Sequence, residues 1–486
     1  MIIENILRNI VNINYVCYYI LNAFQCLFIQ IRVNIKYKKG GKKMLLKYIV
    51  SNFKSIGHDL EFSMFPDEDM QDKNIMTTIN TKMGEWKVLR RGAFFGPNAA
   101  GKSNFIKSIE FARDYVVEGK KSGKSTGIDQ FKADIADLDG LTTFQFMIYI
   151  NGDVYDYGFS LDKIRVQEEW LMVLTNKDFV PMFTRYTNKD NKTTIEITSK
   201  FARSDSKERN LAEVLKDSMQ ENQRNQLFLY KLFDNGIKKA EKIVSWFEDI
   251  KVIYPQTKLQ GLPIRVKQDK NFREFLSRTL NKLDTGVFNI SASAEIIGFK
   301  ELIDKMEIPD DIVNEIEEMK SGIVNLNGKY FIFTEEKNKI IFVQLKFEHH
   351  LNNMVCKFNM EDESDGTQRL LDILPILFRL NNGSNTIYFI DELDRSLHTK
   401  LSKYILSAFI MNSQESYNQI VFTAHDVNLI NLDILDKEEI WFVEKNMYGE
   451  TLLKPLSDFD ILEEQDTLKD YLNGRFGAVP VIREGR

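Results

Sequence analysis

The chain has 486 residues, 43% apolar and 28% charged, which is enough for more than one domain and a sizeable buried core. A formal net charge of −5 and a pI near 5.8 exclude a global basic field for nucleic acid and leave only local patches for such a partner. Three cysteines, Cys17, Cys26 and Cys356, have no metal-ligand spacing and no disulfide pattern, which fits a reducing cytoplasm.

Residues 1–43 differ from everything after them. Ile10 to Val33 is largely apolar, and Arg32, Lys36, Lys38, Lys39, Lys42 and Lys43 gather at its end. The length and basic flank suit a membrane anchor. Asn12, Asn14, Asn22, Gln25 and Gln30 are each costly in lipid, and no small-residue cleavage site marks a secretory signal. Gly40-Gly41-Lys42-Lys43, directly before Met44, is what a purine-rich ribosome-binding site reads as in frame. The expectation is therefore a non-native extension with Met44 as the natural start, a cytoplasmic protein and no stable membrane partner.

From Met44 the pattern is orderly. Leu45–Val50 and Leu60–Met64 predict two strands around Asn52-Phe53-Lys54-Ser55-Ile56-Gly57. The apolar run Ala93-Phe94-Phe95 then leads into Gly96-Pro97-Asn98-Ala99-Ala100-Gly101-Lys102-Ser103-Asn104, a full match to G-x-x-x-x-G-K-[ST]. Helical spacing follows, in Phe105, Ile106, Ile109, Phe111 and Ala112. Glycines at these positions let successive N–H groups curl around phosphate oxygens, and the helix N-terminus adds unpaired donors and a positive dipole end. Lys102 is placed to reach the β/γ-phosphates, and the Ser103 hydroxyl to ligate Mg²⁺. A Gly-rich turn without ligand is the plainer alternative. The complete match between a strand and a helix favours a nucleoside-triphosphate site.

Further on, Gly119–Gly127 is a flexible basic loop whose Gly123-Lys124-Ser125 fails the motif, since its first glycine falls on Glu118. Thr142–Ile150, Asn151-Gly152-Asp153 and Val154–Leu161 predict a hairpin. From about 200 to 328 the periodicity is helical, without heptads long enough for an extended coiled coil. Lys200, Arg203, Lys207, Arg209 and Arg224 interleave there with Asp205, Glu208, Glu213, Asp217 and Glu221, as on a solvated mixed-charge face. Lys329–Phe347 and Val355–Phe358 return to strand spacing.

The remaining chemistry is C-terminal. Ser364 can cap a helix beginning at Asp365-Gly366-Thr367-Gln368-Arg369 and expose a second set of free N–H groups. Thr386–Ile390 is an apolar strand ending in Asp391-Glu392. Downstream of a phosphate loop, Asp391 suits the Mg²⁺ shell and Glu392 suits the attacking water. Asp394-Arg395-Ser396-Leu397-His398 follows directly, and the strand Ile420–Thr423 runs into Ala424-His425, placing a histidine where it could contact the γ-phosphate.

These segments together resemble an ABC-type ATPase of the branch holding chromosome-maintenance and recombination-repair ATPases and the overcoming-lysogenization-defect nucleases. More closely, they resemble stand-alone bacterial ATPases assigned to the AAA family in phage-defence or abortive-infection loci. The motifs carrying the resemblance are Asn52-Phe53-Lys54-Ser55, the phosphate loop, Ser364–Thr367, Asp391-Glu392, Asp394–His398, His425 and the closing Tyr471–Pro480. Asp365 and Thr367 depart from the usual signature, and the family's glutamine loop falls on Gln130, Gln145 or Gln167.

The resemblance implies an α/β P-loop head of ABC type, with a mixed sheet flanked by helices, split by a mostly helical insert. The expected divisions are 44–180, an insert at 181–328, and 329–486. It implies ATP and Mg²⁺ as ligands, Glu392 as base, His425 and Lys102 at the γ-phosphate, and Lys54 at the nucleotide. Ser364, Asp365, Gly366 and Thr367 would act in trans, with Asp394 and Ser396 as the loop between protomers. A homodimer or higher oligomer and a separately encoded effector are the implied partners. A nucleic-acid-engaging repair ATPase and a transporter subunit are the alternatives, and GTP remains open beside ATP.

Overall fold

The computed structural model describes residues 41–67, 75–133, 140–204, 206–219, 223–259, 261–298, 322–326, 329–333, 340–352, 354–381, 385–411, 417–460 and 466–480. The apolar stretch from Ile10 to Val33, with most of its basic flank, lies outside them. No helix among the described residues is long and apolar enough to cross a membrane. The described chain divides into two compact units, 39–256 with 379–486, and 257–378.

The first unit opens with β1 (Lys43–Ser51), β2 (Leu60–Ser63), β3 (Met76–Thr81), β4 (Gly84–Leu89) and β5 (Arg91–Phe95). After the helix Lys102–Val117 come β6 (Thr142–Ile150), β7 (Asp153–Leu161), β8 (Val166–Leu174), β9 (Phe179–Thr187) and β10 (Thr193–Ile197). Seven of these form an antiparallel sheet in the order β10-β9-β8-β7-β6-β1-β2. Asn151 and Gly152 both take positive φ, 52° and 96°, in the two-residue turn joining β6 to β7. That is the geometry Asn-Gly favours, because it matches the right-handed twist of the paired strands.

The second sheet holds the motifs. Helices Lys207–Asp217, Phe228–Asp234 and Lys238–Glu248 lead to β11 (Ile250–Ile253). In the second unit, helices Leu262–Gln268 and Lys270–Lys282 precede β12 (Val287–Ile297), β13 (Gly322–Leu326), β14 (Lys329–Phe333), β15 (Ile340–Leu351) and β16 (Met354–Phe358). Their sheet runs β12-β15-β14-β13, with β16 on β15. The helix Asp365–Asn381 follows, then β17 (Ile387–Ile390), the helix Thr399–Met411, β18 (Gln419–Thr423), β19 (Ile440–Lys445), β20 (Thr451–Pro455) and the helix Thr467–Leu472. Strand order in the six-stranded sheet is β11-β17-β18-β5-β19-β20, parallel except for β20.

The phosphate-loop strand β5 therefore lies between two strands contributed from far downstream. It is fully buried, as expected for a parallel strand covered on both faces. An aromatic cluster locks it in place: Phe62 meets Phe94 and Trp441 edge to face, both at 5.2 Å, and Phe94 meets Phe105 at a tilt at 4.8 Å. Arg91 makes a bidentate pair with Glu439, at 2.6 and 2.5 Å, with both side chains out of solvent. Burial pushes the Glu439 carboxyl up to about 7, against the pull of Arg91. Buried Gln419 joins the N-terminal strand to the C-terminal half: its Oε1 accepts from Leu45 N (2.6 Å), and its Nε2 donates to Leu45 O (2.9 Å) and Leu89 O (3.0 Å).

Helical spacing from 200 to 328 is only part of what forms there. Helices occupy 207–282 with β11 among them, and Val287–Ile297 is a strand paired with β15 along its length. The run Val-Phe-Asn-Ile-Ser-Ala-Ser-Ala-Glu-Ile-Ile alternates well enough to pair, so a long-range partner decides a locally ambiguous pattern. The expected insert at 181–328 and the compact unit 257–378 also differ in extent, because β9, β10 and β11 join the sheets of the first unit.

Candidate nucleotide site

The chain leaves β5 at Phe95 and turns at once. A Cβ on Gly96 would stand 2.1 Å from the carbonyl oxygen of Val443 on β19, so only glycine lets the loop start this close to its neighbour. Gly101 caps the helix Lys102–Val117 with φ 117°, where a Cβ would fall 1.9 Å from Thr451 Oγ1. Between them Ala99 takes φ 63°, a left-handed backbone unusual for a residue with a side chain. The Lys102 ammonium folds back along the loop, donating to Gly96 O (2.6 Å) and Pro97 O (3.1 Å). Burial lowers the Lys102 pKa, and Asp391, Asp394 and Glu392 oppose that shift.

A network absent from the motif holds the loop from outside. Thr451 Oγ1 donates to Ala100 O at 2.9 Å, so it accepts from Ser55 Oγ at 2.8 Å, and Ser55 in turn accepts from Asn104 Nδ2 at 2.7 Å. Thr451 N donates to Ser55 O (2.7 Å), tying β20 to the loop after β1. Next to it, Glu450 Oε1 accepts from the backbone and the ring of His58 at 3.0 and 2.7 Å. A Cβ on Gly57 would lie 2.0 Å from that oxygen.

The acids arrive on β17. Thr423, the last residue of β18, donates its hydroxyl to Asp391 Oδ1 (2.7 Å) and accepts from Glu392 N (2.8 Å), so one side chain orders both. Glu392 has φ 48°; its carboxylate lies 3.5 Å from His425 Nε2 and 3.3 Å from an Arg395 guanidinium nitrogen. Asp394 is buried, and its Oδ2 accepts from His425 N (2.9 Å) and Asp426 N (2.6 Å), fixing the turn that presents the histidine. Ser396 follows in left-handed conformation, φ 59°.

One cavity of about 1410 Å³ gathers these groups. Gly96 through Asn104, Glu392 and His425 all line it, with Val427, Lys445, Tyr471, Leu472, Val479 and Pro480. Glu392 and Lys102, 392 − 102 = 290 residues apart, thus share one space. Ser103 brings a hydroxyl to the cavity, while Asp391, at the end of the neighbouring strand, is buried just outside its lining with Oδ1 held by Thr423. Hard oxygen donors of this kind, one or two from protein and the rest from phosphate and water, suit Mg²⁺. No group of three or more His, Cys, Asp or Glu among the described residues is placed to hold a metal by itself.

Other expected residues lie elsewhere. Lys54 is 2.8 Å from Asp129 Oδ2 and outside the cavity lining. The three glutamines are also outside it: Gln145 and Gln167 donate to Asp156 and Asp162, and Gln130 to the Gly140 carbonyl. Ser364–Thr367 belong to the second unit, where Ser364 Oγ caps the helix by accepting from Thr367 N at 3.2 Å. Of the mixed-charge face, Arg209 and Lys216 both pair with Glu213, at 2.7 and 2.6 Å. Thr451, Lys445 and Val427 carry no motif in the sequence, whereas the lining residues Tyr471, Leu472, Val479 and Pro480 fall in the closing segment Tyr471–Pro480. The apolar strand that holds Thr423 was signalled only by the histidine after it, His425.

Residues 93–431, more than half of the chain, match the family described as "AAA domain, putative AbiEii toxin, Type IV TA system". No curated protein matches the sequence. Similar solved structures include an SMC head domain from Thermotoga maritima, 13% identical, covering 86% of this chain and 100% of that one at a TM-score of 0.37. Another is the Smc head domain with an extended coiled coil bound to the C-terminal domain of ScpA, derived from Pyrococcus furiosus: 14% identical, covering 86% and 97%, TM-score 0.40. Likeness at these scores is remote and carries no argument. The family match is extensive, and the chain belongs to that AAA-domain family.

Proposed function

We propose that this AAA-domain protein binds and hydrolyses ATP and acts as a nucleotide-dependent switch on a separate effector protein. The observation that carries the reading is the shared cavity: the phosphate loop, Glu392 and His425 line one space although they come from opposite ends of the chain. In it the loop N–H groups and Lys102 hold the phosphates, with Asn98 and Asn104 on the rim. Ser103 and Asp391 would hold Mg²⁺, which neutralises phosphate charge when bound. Glu392, whose backbone N–H is held by Thr423 and whose carboxylate lies beside His425, would accept a proton from the attacking water.

The switch follows from the second half of the site. Ser364, Asp365, Gly366 and Thr367 offer a helix N-terminus that, in trans, would meet the terminal phosphate held by another copy, with Asp394 and Ser396 between the copies. ATP would then bridge two protomers, and loss of the γ-phosphate would remove the bridge. The family's toxin–antitoxin description supports a defence role with a separately encoded effector. ATPase assays and light scattering on the Glu392→Gln protein test this. Turnover should fall by about 10²–10⁴-fold, as for loss of a general base, and an ATP-dependent dimer should accumulate. Wild-type turnover, or a monomer at saturating ATP, would sink the reading. Salt-sensitive stimulation by DNA or RNA would move it to a repair-type ATPase.

A further inference from the structure

The sheet order gives the cavity a direction. The phosphate-loop strand β5 has β18 and β17 on one side and β19 and β20 on the other. Glu392 at the end of β17 and His425 after β18 occupy the first side, where hydrolysis is placed. A triphosphate with its terminal phosphate toward Glu392 must run its other end toward β19. There the lining changes character: Lys445 closes β19, and Leu472, Val479 and Pro480 supply apolar surface. Leu472 is 58% exposed, so its side chain is open to contact from the cavity.

This wall is built into the fold. Phe442 on β19 stacks with Tyr471 at 5.1 Å and with Phe476 at 5.4 Å, both nearly parallel to it. Tyr471 donates its hydroxyl to Ala478 O at 2.8 Å, so it keeps no hydroxyl proton for a ligand. Ala478 sits at φ 55° and is held there by its N–H to Glu444 Oε2 at 3.1 Å. A Cβ on Gly477 would come within 2.5 Å of that oxygen. Left-handed backbone at a residue with a side chain persists only where its surroundings enforce it.

We propose that Leu472, Val479 and Pro480 hold the nucleoside end of the bound nucleotide, with Lys445 beside them. The proposal rests on the nucleotide reading above and names which wall receives base and ribose. Lys445 apart, the groups on this wall are apolar or already bonded, so contact is made through the faces of the base, and purine nucleotides, which present the larger face, are the ligand class.

The test compares ATP with inorganic tripolyphosphate, which has the phosphates but no nucleoside, by calorimetric titration. In the Leu472→Ala/Val479→Ala protein, ATP affinity should fall by about tenfold, the scale of losing apolar contacts of this size, while tripolyphosphate affinity stays unchanged. Leu472→Ala alone, at an exposed position, gives the same contrast at smaller size if the double variant does not fold. Unchanged ATP affinity overturns the proposal. Equal loss for both ligands also overturns it, placing the segment's effect on the phosphate loop. Wild-type protein that binds neither ligand overturns the nucleotide reading itself, and the wall with it.

Discussion

The two helix N-termini proposed to meet phosphate are built in opposite ways. The first, at Gly101–Asn104, is held on every side: Val443 and Thr451 crowd its glycines, Lys102 is buried along the loop, and the Asn104–Ser55–Thr451–Ala100 chain fixes its peptide planes. The second, at Ser364–Thr367, is bonded mainly to itself, through Ser364 Oγ to Thr367 N and Thr367 Oγ1, with Ser364 and Asp365 exposed. Preorganised donors bind strongly because little reorganisation remains to be done. A self-capped, exposed turn is stable without a ligand and is free to meet another surface. The first therefore suits a site that binds alone, and the second a contact made only on assembly.

Substitutions at four positions break or sharpen this contrast. Lys102→Ala removes the one lysine inside the first turn and should weaken ATP binding by about 100-fold, the scale of losing charge-assisted phosphate contacts; an unchanged titration would remove the phosphate-loop assignment. Gly101→Ala places a methyl against Thr451 at a backbone angle alanine avoids. A loss of about 2 kcal/mol of stability is expected in chemical denaturation, and an unchanged midpoint would mean that the clamp yields freely. Thr451→Val keeps the shape but loses the hydroxyl that orients Ala100 O. It should weaken ATP by about fivefold, near 1 kcal/mol, with Thr451→Ser restoring most of it; equal affinity in all three proteins would make the network structural only. Ser364→Arg should leave ATP affinity of the monomer as it is while suppressing hydrolysis. A monomer that binds ATP less well would show that the second turn is no separate contact.

Much of the first turn was legible because its chemistry is contiguous. Gly96, Gly101, Lys102 and Ser103 carry a backbone conformation and a charge within eight residues, and Asp391-Glu392 and His425 end apolar strands whose polar terminus is itself the signal. The β6–β7 hairpin was equally local, fixed by Asn151-Gly152. The strand at Val287–Ile297 was not, because its alternation is weak and β15 supplies the pairing that makes it a strand. The clamp itself gave no warning: Ser55 stood out only as the end of Asn52-Phe53-Lys54-Ser55, and a threonine opening a strand is ordinary until folding brings its hydroxyl between Ser55 and the Ala100 carbonyl.

By itself the sequence determined that a phosphate loop exists, that two acids and a histidine follow on later strands, and that these belong to one class of ATPase head. Short-range backbone rules suffice for that, since glycine placement and strand termination act over a few residues. Tertiary structure alone decided the order of β17, β18, β5 and β19, and with it which side of the loop holds Glu392 and which holds Leu472 and Val479. Strand order depends on burial and pairing summed over the whole chain, so no local stretch encodes it.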